Sequence, residues 1–595
     1  MFEIRDDEPD YAILNDFVCA ETNRYGKAID LLAETHFAKN TSLRINGDEG
    51  VGENPNRNKQ HGFHFTADNC IGCHACEAAC SEKNDLPPHL AFRSVGYVEG
   101  GTYPDYTRVN ISMACNHCDD PVCLKGCPTG AYTKHPEYGA VLQDPDICFG
   151  CGYCTWVCPY NAPQLDPVAG HVEKCNMCVD RLEVGLKPAC VSACLGNALD
   201  FGVIENTPEN REQIKTEIPG FPNPDITRPN IRFQQTRSLP RDFTRTDSMP
   251  VKYHKEETFV PIVDTAKVGA KRQWNLSDLS SRENPLVVFT LSTQACVGGF
   301  ALPFLGGQMD LVTLSDFYIP YLIGLLSLQA FVLWLSTQHL GKPMRFYRGF
   351  NNLRHSPLSR EALGIALFFG FLGGHMVATI LAEGRLSLPF FTKALAMLVA
   401  DVSGALAVLS GLAGLYFMNR IYRIPARPFW DHWQVMTSFF GASLSLGALL
   451  AWAVLPIEVV VIPLVAGLVL EGLGLLFHAR DLKTRGGEGV ASQHLQATRF
   501  GKTYLLRNAL QALSIVAGAG LALASPEGVT ATLLWAGLAV IVAATALIGR
   551  TLFYVLVIPT TMPGAFFWKN KAFEDHARET GLAAMPQVGV APEGH

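Results

Sequence analysis

The chain has 595 residues, with 55 acidic against 48 basic side chains for a net charge of −7, and 48% of its residues are hydrophobic. So mild an imbalance, with no basic stripe, excludes a nucleic-acid partner, and the length leaves room for several domains. Its 18 cysteines are too many thiols for an oxidising compartment, which places assembly in the cytoplasm.

Residues 1–60 read as a polar arm with a short helical stretch around Tyr25 to Phe37. The start, MFEIRDDEPDYAILNDF, is acidic and has neither an apolar signal core nor a twin-arginine pair, so no export signal is expected. Cys19 stands alone in this arm and is expected to have no metal role.

Between residues 61 and 205 lie sixteen cysteines in four groups: Cys70, Cys73, Cys76, Cys80; Cys115, Cys118, Cys123, Cys127; Cys148, Cys151, Cys154, Cys158; and Cys175, Cys178, Cys190, Cys194. The third group, followed by Pro159, has the C-x2-C-x2-C-x3-C-P spacing of bacterial cluster ligands, and the others vary it. Three thiolates on one tight loop and a fourth from elsewhere suit a [4Fe-4S] cubane. Zinc would pair two knuckles and leave the third cysteine of C-x2-C-x2-C unused. Disulfides fit such short repeated loops poorly. Four [4Fe-4S] clusters are expected.

Spacing also suggests the sharing. Groups two and three both end in Cys-Pro and form one two-cluster module, in which Cys115, Cys118 and Cys123 take Cys158 while Cys148, Cys151 and Cys154 take Cys127. By elimination Cys70, Cys73 and Cys76 take Cys194, and Cys175, Cys178 and Cys190 take Cys80. The result is a linear array with no open coordination position, which carries electrons and transforms no substrate.

Residues 206–284 are polar and proline-rich (PGFPNPDITRPNIRF), the composition of an extended linker. Eight apolar segments then follow, at about 286–306, 317–338, 361–382, 393–416, 434–455, 458–478, 506–525 and 529–549. Each is near the roughly 20 residues needed to cross a bilayer. The proline-broken TLFYVLVIPTTMPGAFFW belongs at the interface, and residues 566–595 form a tail. The fold class is therefore α+β: a double ferredoxin-like four-cluster domain followed by an all-α eight-helix transmembrane bundle spanning 285–565.

Loop charge sets the orientation. Lys271, Arg272, Arg282, Lys342, Arg345, Arg348, Arg354, Arg360, Arg420, Arg423, Arg427, Arg480, Lys483, Arg485, Arg499, Lys502, Arg550, Lys569 and Lys571 fall on the side of the cluster domain, against Arg385 and Lys393 opposite. The positive-inside rule makes that side cytoplasmic, with the chain multi-pass in the inner membrane.

His375, Asp401 and Glu471 fall within spans and are weighed as functional against structural. His375 has no histidine partner at its depth, so no haem is expected. Cys296 reads as a packing residue. The loop QHLGKPMRFYRGFNNLRHSPLSRE between spans two and three gathers His339, Lys342, Arg345 and Glu361 at the water boundary. A quinone takes two electrons and two protons, so it needs donors and a proton carrier. His339 suits carbonyl contact, Glu361 proton exchange, and Lys342 and Arg345 cofactor contact or simple topology. A transporter would instead show interrupted helices and paired midplane charges, which this chain scarcely offers.

CNHCDDPVCLKGCPTGA, ICFGCGYCTWVCPYNAPQ and KCNMCVDRLEVGLKPACVSAC resemble the four-cluster subunit of the dimethyl sulfoxide reductase group of molybdoenzymes. HLGKPMR followed by LSRE resembles that group's eight-helix anchor, here on the same polypeptide. Group four ends Cys194-Leu195 where the family has Cys-Pro. The resemblance implies a molybdopterin-containing catalytic partner and exchange of electrons with membrane quinone. It places the cluster of Cys127, Cys148, Cys151 and Cys154 nearest the membrane and that of Cys70, Cys73, Cys76 and Cys194 nearest the partner. It also assigns His339 and Glu361 to the quinone site. Cytoplasmic placement points within the family to quinone-dependent sulfite oxidation; the alternative is a quinol-dependent sulfoxide, N-oxide or polysulfide reductase.

Overall fold

A strand buried on both faces organises the first half. In the computed structural model, β1 (His61–Thr66) lies between β8 (Leu199–Val203), antiparallel, and β9 (Ile231–Gln234), parallel. Phe63 packs edge-on against Phe201, and Phe65 against Phe233. The structure describes Ala12, Ile13 and residues 59–561, except 88, 205–217, 235–238, 246–248, 282, 314–315, 387, 389–390, 485 and 525. Cys19, the expected helix near Tyr25 and the tail lie outside the described residues. The chain divides into two compact units, residues 1–267 with 559–595, and residues 268–558.

In the first unit, each cysteine group follows a strand and runs into a short helix. These helices are α1 (Ala75–Lys83), α2 (Val122–Gly126), α3 (Tyr153–Val157), and the pair α4 (Val179–Glu183) and α5 (Ala189–Ser192). The hairpin β2 (Arg93–Gly100) and β3 (Thr107–Ala114) delivers Cys115. The smaller hairpins β4 (Tyr132–Lys134) with β5 (Val141–Gln143), and β6 (Gln164–Asp166) with β7 (His171–Glu173), lead to Cys148 and Cys175. This is a ferredoxin-like iron–sulfur architecture.

The stretch expected to be a linker does more than connect. Besides β9 it supplies β10 (Asp242–Arg245), β11 (Val251–Lys255) and β12 (Phe259–Val263), which extend the hairpin into a five-stranded sheet of order β12-β11-β10-β2-β3. Prolines hid it: short strands between them show too little alternation to read as sheet. Phe243, Val251 and Tyr253 are fully buried there.

Among the described residues of the second unit, eight helices are long and apolar enough to span a membrane. They are α6 (Asn284–Gln308), α7 (Tyr318–Thr337), α8 (Pro357–Ala382), α9 (Lys393–Tyr422), α10 (Gln434–Ala451), α11 (Ile457–Thr484), α13 (Gly501–Ala524) and α14 (Gly528–Val555). The shorter α12 (Glu488–Ala497) lies between α11 and α13. Leu523 is 89% exposed and Val540 70%, apolar faces that lipid covers. Association between apolar helices in lipid depends on close backbone approach. Accordingly a Cβ at Gly364 would stand 2.7 Å from Gly414 of α9, and one at Gly298 would meet the Ser443 carbonyl of α10.

Candidate functional site

Local backbone geometry points three thiols of each loop inward. Gly72 (φ +67°), Gly150 (+74°) and Gly152 (+74°) take left-handed conformations between ligands, and so do the non-glycines His74 (+60°), His117 (+43°), Met177 (+64°) and Cys178 (+50°). For a non-glycine that conformation costs about 1–2 kcal/mol, which the ordering of the loop must offset. The reversal turns a backbone N–H toward the first sulfur of a group: His117 N–H toward Cys115 Sγ (3.5 Å), Gly150 N–H toward Cys148 Sγ (3.3 Å) and Met177 N–H toward Cys175 Sγ (3.4 Å).

The fourth thiols arrive from distant sequence. Cys70, Cys73, Cys76 and Cys194 line one cavity. Cys115, Cys118, Cys123 and Cys158 line another. Cys127 lies against Cys148, Cys151 and Cys154, and Cys80 against Cys175, Cys178 and Cys190. Neighbouring sets also touch electrostatically: Cys76 with Cys190, Cys175 with Cys115, and the Tyr132 hydroxyl with both Cys123 and Cys154. The four sets thus follow one another in a line.

The donor chemistry suits multi-iron clusters. Burial pushes the thiols of Cys76, Cys158 and Cys175 up to about 11 and that of Cys178 up to about 12. Since the thiolate is the ligand, only strongly bound cations can hold such buried, mutually repelling sulfurs deprotonated.

Several residues around these sets escaped the sequence reading. Arg93, 2% exposed, lies within charge reach of Cys190, Cys76, Cys175 and Cys80. Lys174 does the same for Cys123 and Cys158. Thr227 lines the Cys115 cavity and bonds Tyr160 Oη at 2.9 Å. The Asn230 amide donates to the His117 carbonyl at 2.9 Å and to Asp119 at 3.0 Å. The only sequence signal for the last two was polar residues among prolines, which looked like linker.

In the second unit, His339 sits half-buried in the turn after α7, and Lys342 caps a 3-10 turn, Pro343–Phe350, that carries Arg345. Glu361 departs from the expected boundary position. It is 6% exposed inside α8, because that helix starts at Pro357, capped by Ser356. Its electrostatic neighbours include Tyr422 and Tyr554, whose hydroxyls meet at 2.5 Å.

His375 is held by structure. Its Nδ1–H donates to the Ala400 carbonyl at 2.8 Å, leaving Nε2 to accept from Tyr318 Oη at 3.0 Å. Asp401 is exposed and accepts from Gln308 at 2.7 Å. Cys296 is fully buried. Arg550, expected among the topology charges, is instead 3% exposed within α14 and donates to Gln294 Oε1 at 3.0 Å. Its span runs past the end expected for it, to Val555.

Residues 107–204 match the model of a 4Fe-4S dicluster domain, and residues 279–556 that of the DMSO reductase anchor subunit. The B polypeptide of the anaerobic dimethyl sulfoxide reductase of Escherichia coli is 41% identical over 180 residues, covering 29% of this chain and 87% of that protein. This protein belongs to the dimethyl sulfoxide reductase type of iron–sulfur subunit. The corresponding polypeptide of Haemophilus influenzae is 41% identical over 182 residues, covering 29% of this chain and 88% of its own. The B polypeptide of the sulfite dehydrogenase of Allochromatium vinosum is 39% identical over 158 residues, covering 23% and 66%. Within this dimethyl sulfoxide reductase family, the present chain is an electron-transfer and membrane-anchor subunit. It is a multi-pass membrane protein in which iron–sulfur and anchor parts are joined.

Proposed function

We propose that the chain passes electrons between a molybdopterin-containing catalytic subunit in the cytoplasm and the quinone pool of the inner membrane, through four [4Fe-4S] clusters. The observation that carries this reading is the linear succession of four four-thiol sets in a chain that also spans the membrane. Bound clusters supply one-electron carriers; the protein holds them by the sixteen cysteines and sets their surroundings with Arg93, Lys174 and backbone N–H groups. His339 and Glu361 serve the quinone, one by donating to a carbonyl and the other by holding a proton, with Lys342 and Arg345 beside them.

The loop-charge bias favours sulfite as the electron source, since it puts the iron–sulfur half in the cytoplasm. A reductase working in the opposite direction is the second reading. It is favoured by the fuller coverage of the dimethyl sulfoxide reductase polypeptides than of the sulfite dehydrogenase one. Purified complex in vesicles should reduce a naphthoquinone when given sulfite. Quinol-dependent reduction of dimethyl sulfoxide without sulfite oxidation would select the second reading, and failure of both would remove the quinone link.

A further inference from the structure

The second unit holds a cavity lined by both polar and apolar side chains. Glu471, His478, Arg507 and Arg550 line it, together with Phe429 and Phe553. Arg507 is 5% exposed and Arg550 3%. Among the described residues Arg507 Nε and Arg550 Nη1 are buried without an acceptor, although the two side chains lean on aromatic rings, 5.1 Å from the Tyr504 centroid and 4.1 Å from that of Phe439. Glu471 accepts from Ser445 Oγ at 3.1 Å and lies within charge reach of both arginines.

Buried donors without acceptors call for a partner. Two guanidinium groups against one carboxylate favour a ligand that offers acceptor oxygens, and the aromatic and aliphatic walls favour a flat apolar body. We propose that this cavity binds the quinone head group, one carbonyl oxygen accepting from Arg507 and Arg550 and the ring lying against the apolar lining that includes Phe429 and Phe553. The proposal rests on the quinone-exchanging reading above and adds a place for the head group. Glu471 stands beside the bound carbonyl to hold a proton. From Arg550, the Tyr554–Tyr422 hydroxyl pair leads toward Glu361, so both buried carboxyls serve one ligand. Reduction of the head group consumes two electrons from the iron–sulfur half and two protons through these side chains.

The test is photolabelling of the purified complex, clusters loaded, with an azido-naphthoquinone, followed by peptide mapping. Label is expected on the segments around Glu471 and Arg550. A Cβ at Gly549 would meet only the Arg507 Cδ, at 4.0 Å, so Gly549→Leu fills the chamber without a backbone clash. It should lower labelling at least about tenfold with iron content and cluster spectra unchanged, and Arg550→Gln should do likewise. Label confined to residues 338–356 would overturn the chamber while leaving the quinone reading intact. Labelling unchanged in both variants would also overturn it, as would a tightly bound anionic phospholipid lost on Arg550→Gln. No label anywhere, with clusters that quinone cannot oxidise, would remove the quinone reading itself.

Discussion

Arg93 Nη1 donates to Ser112 Oγ at 3.0 Å, and the Ser112 hydroxyl is thereby left to donate to Cys76 Sγ, 3.4 Å away. A buried cation and a sulfur ligand are thus joined through one hydroxyl. The same guanidinium stacks over the Phe63 ring at 4.4 Å and faces the Cys80 set as well. Charge and hydrogen bonds at sulfur are among the levers that set cluster potential.

Arg93→Gln should therefore lower the midpoint potentials of the two clusters that flank it, because reduction adds negative charge that the cation stabilises. A shift on the order of 59 mV, a tenfold change in a one-electron equilibrium, is expected by redox-poised electron paramagnetic resonance. The other two clusters should keep their potentials, and a uniform shift of all four would count against a local effect. Arg93→Lys should restore most of the change.

The pairing of cysteines makes a counting prediction. Wild-type protein should hold about sixteen irons with matching sulfide, and Cys118→Ser with Cys158→Ser about twelve, since both residues serve one cluster. About eight irons in the double variant would assign them to different clusters.

His339→Asn and Glu361→Gln should each slow quinone turnover by at least about tenfold, at the low end of losses in proton-transfer catalysis. Iron content and cluster spectra should not change. Unaltered quinone kinetics in steady state would remove these residues from the site.

Asn230→Ala should destabilise the first unit by about 1–3 kcal/mol, the cost of leaving buried polar groups without a partner. Thermal unfolding followed through cluster absorbance reads it. No change in the transition would mean that the Pro-rich segment closes nothing over the Cys115 loop.

A reporter fused after His595 should work only as a cytoplasmic one. Periplasmic activity would reverse the orientation and withdraw sulfite as the preferred electron source.

The ligand loops and the spans were legible in the amino-acid sequence because both are short-range. In three of the four sets, three thiols lie within nine residues, and hydropathy over about 20 residues decides a span. Long-range relations were not. Arg93 lies in a strand whose sequence carries no sign of iron, and it reaches Cys76 only because β2 and β3 pair Arg93 with Ala114. β9 to β12 hid among prolines, and strand pairing is settled by partners far along the polypeptide.

The arginines give the sharpest contrast. In the sequence Arg550 stands at the end of an apolar run, where a charge left in water is expected, and Arg507 stands near the start of one, though an ionisable group in a span is a signal in itself. Composition determined that these helices are apolar enough to cross a bilayer and that the chain carries an iron–sulfur domain. Only packing decided that two guanidinium groups face one internal space. A helix's hydropathy is the sum of its own residues, whereas the burial of one side chain depends on which neighbours close around it.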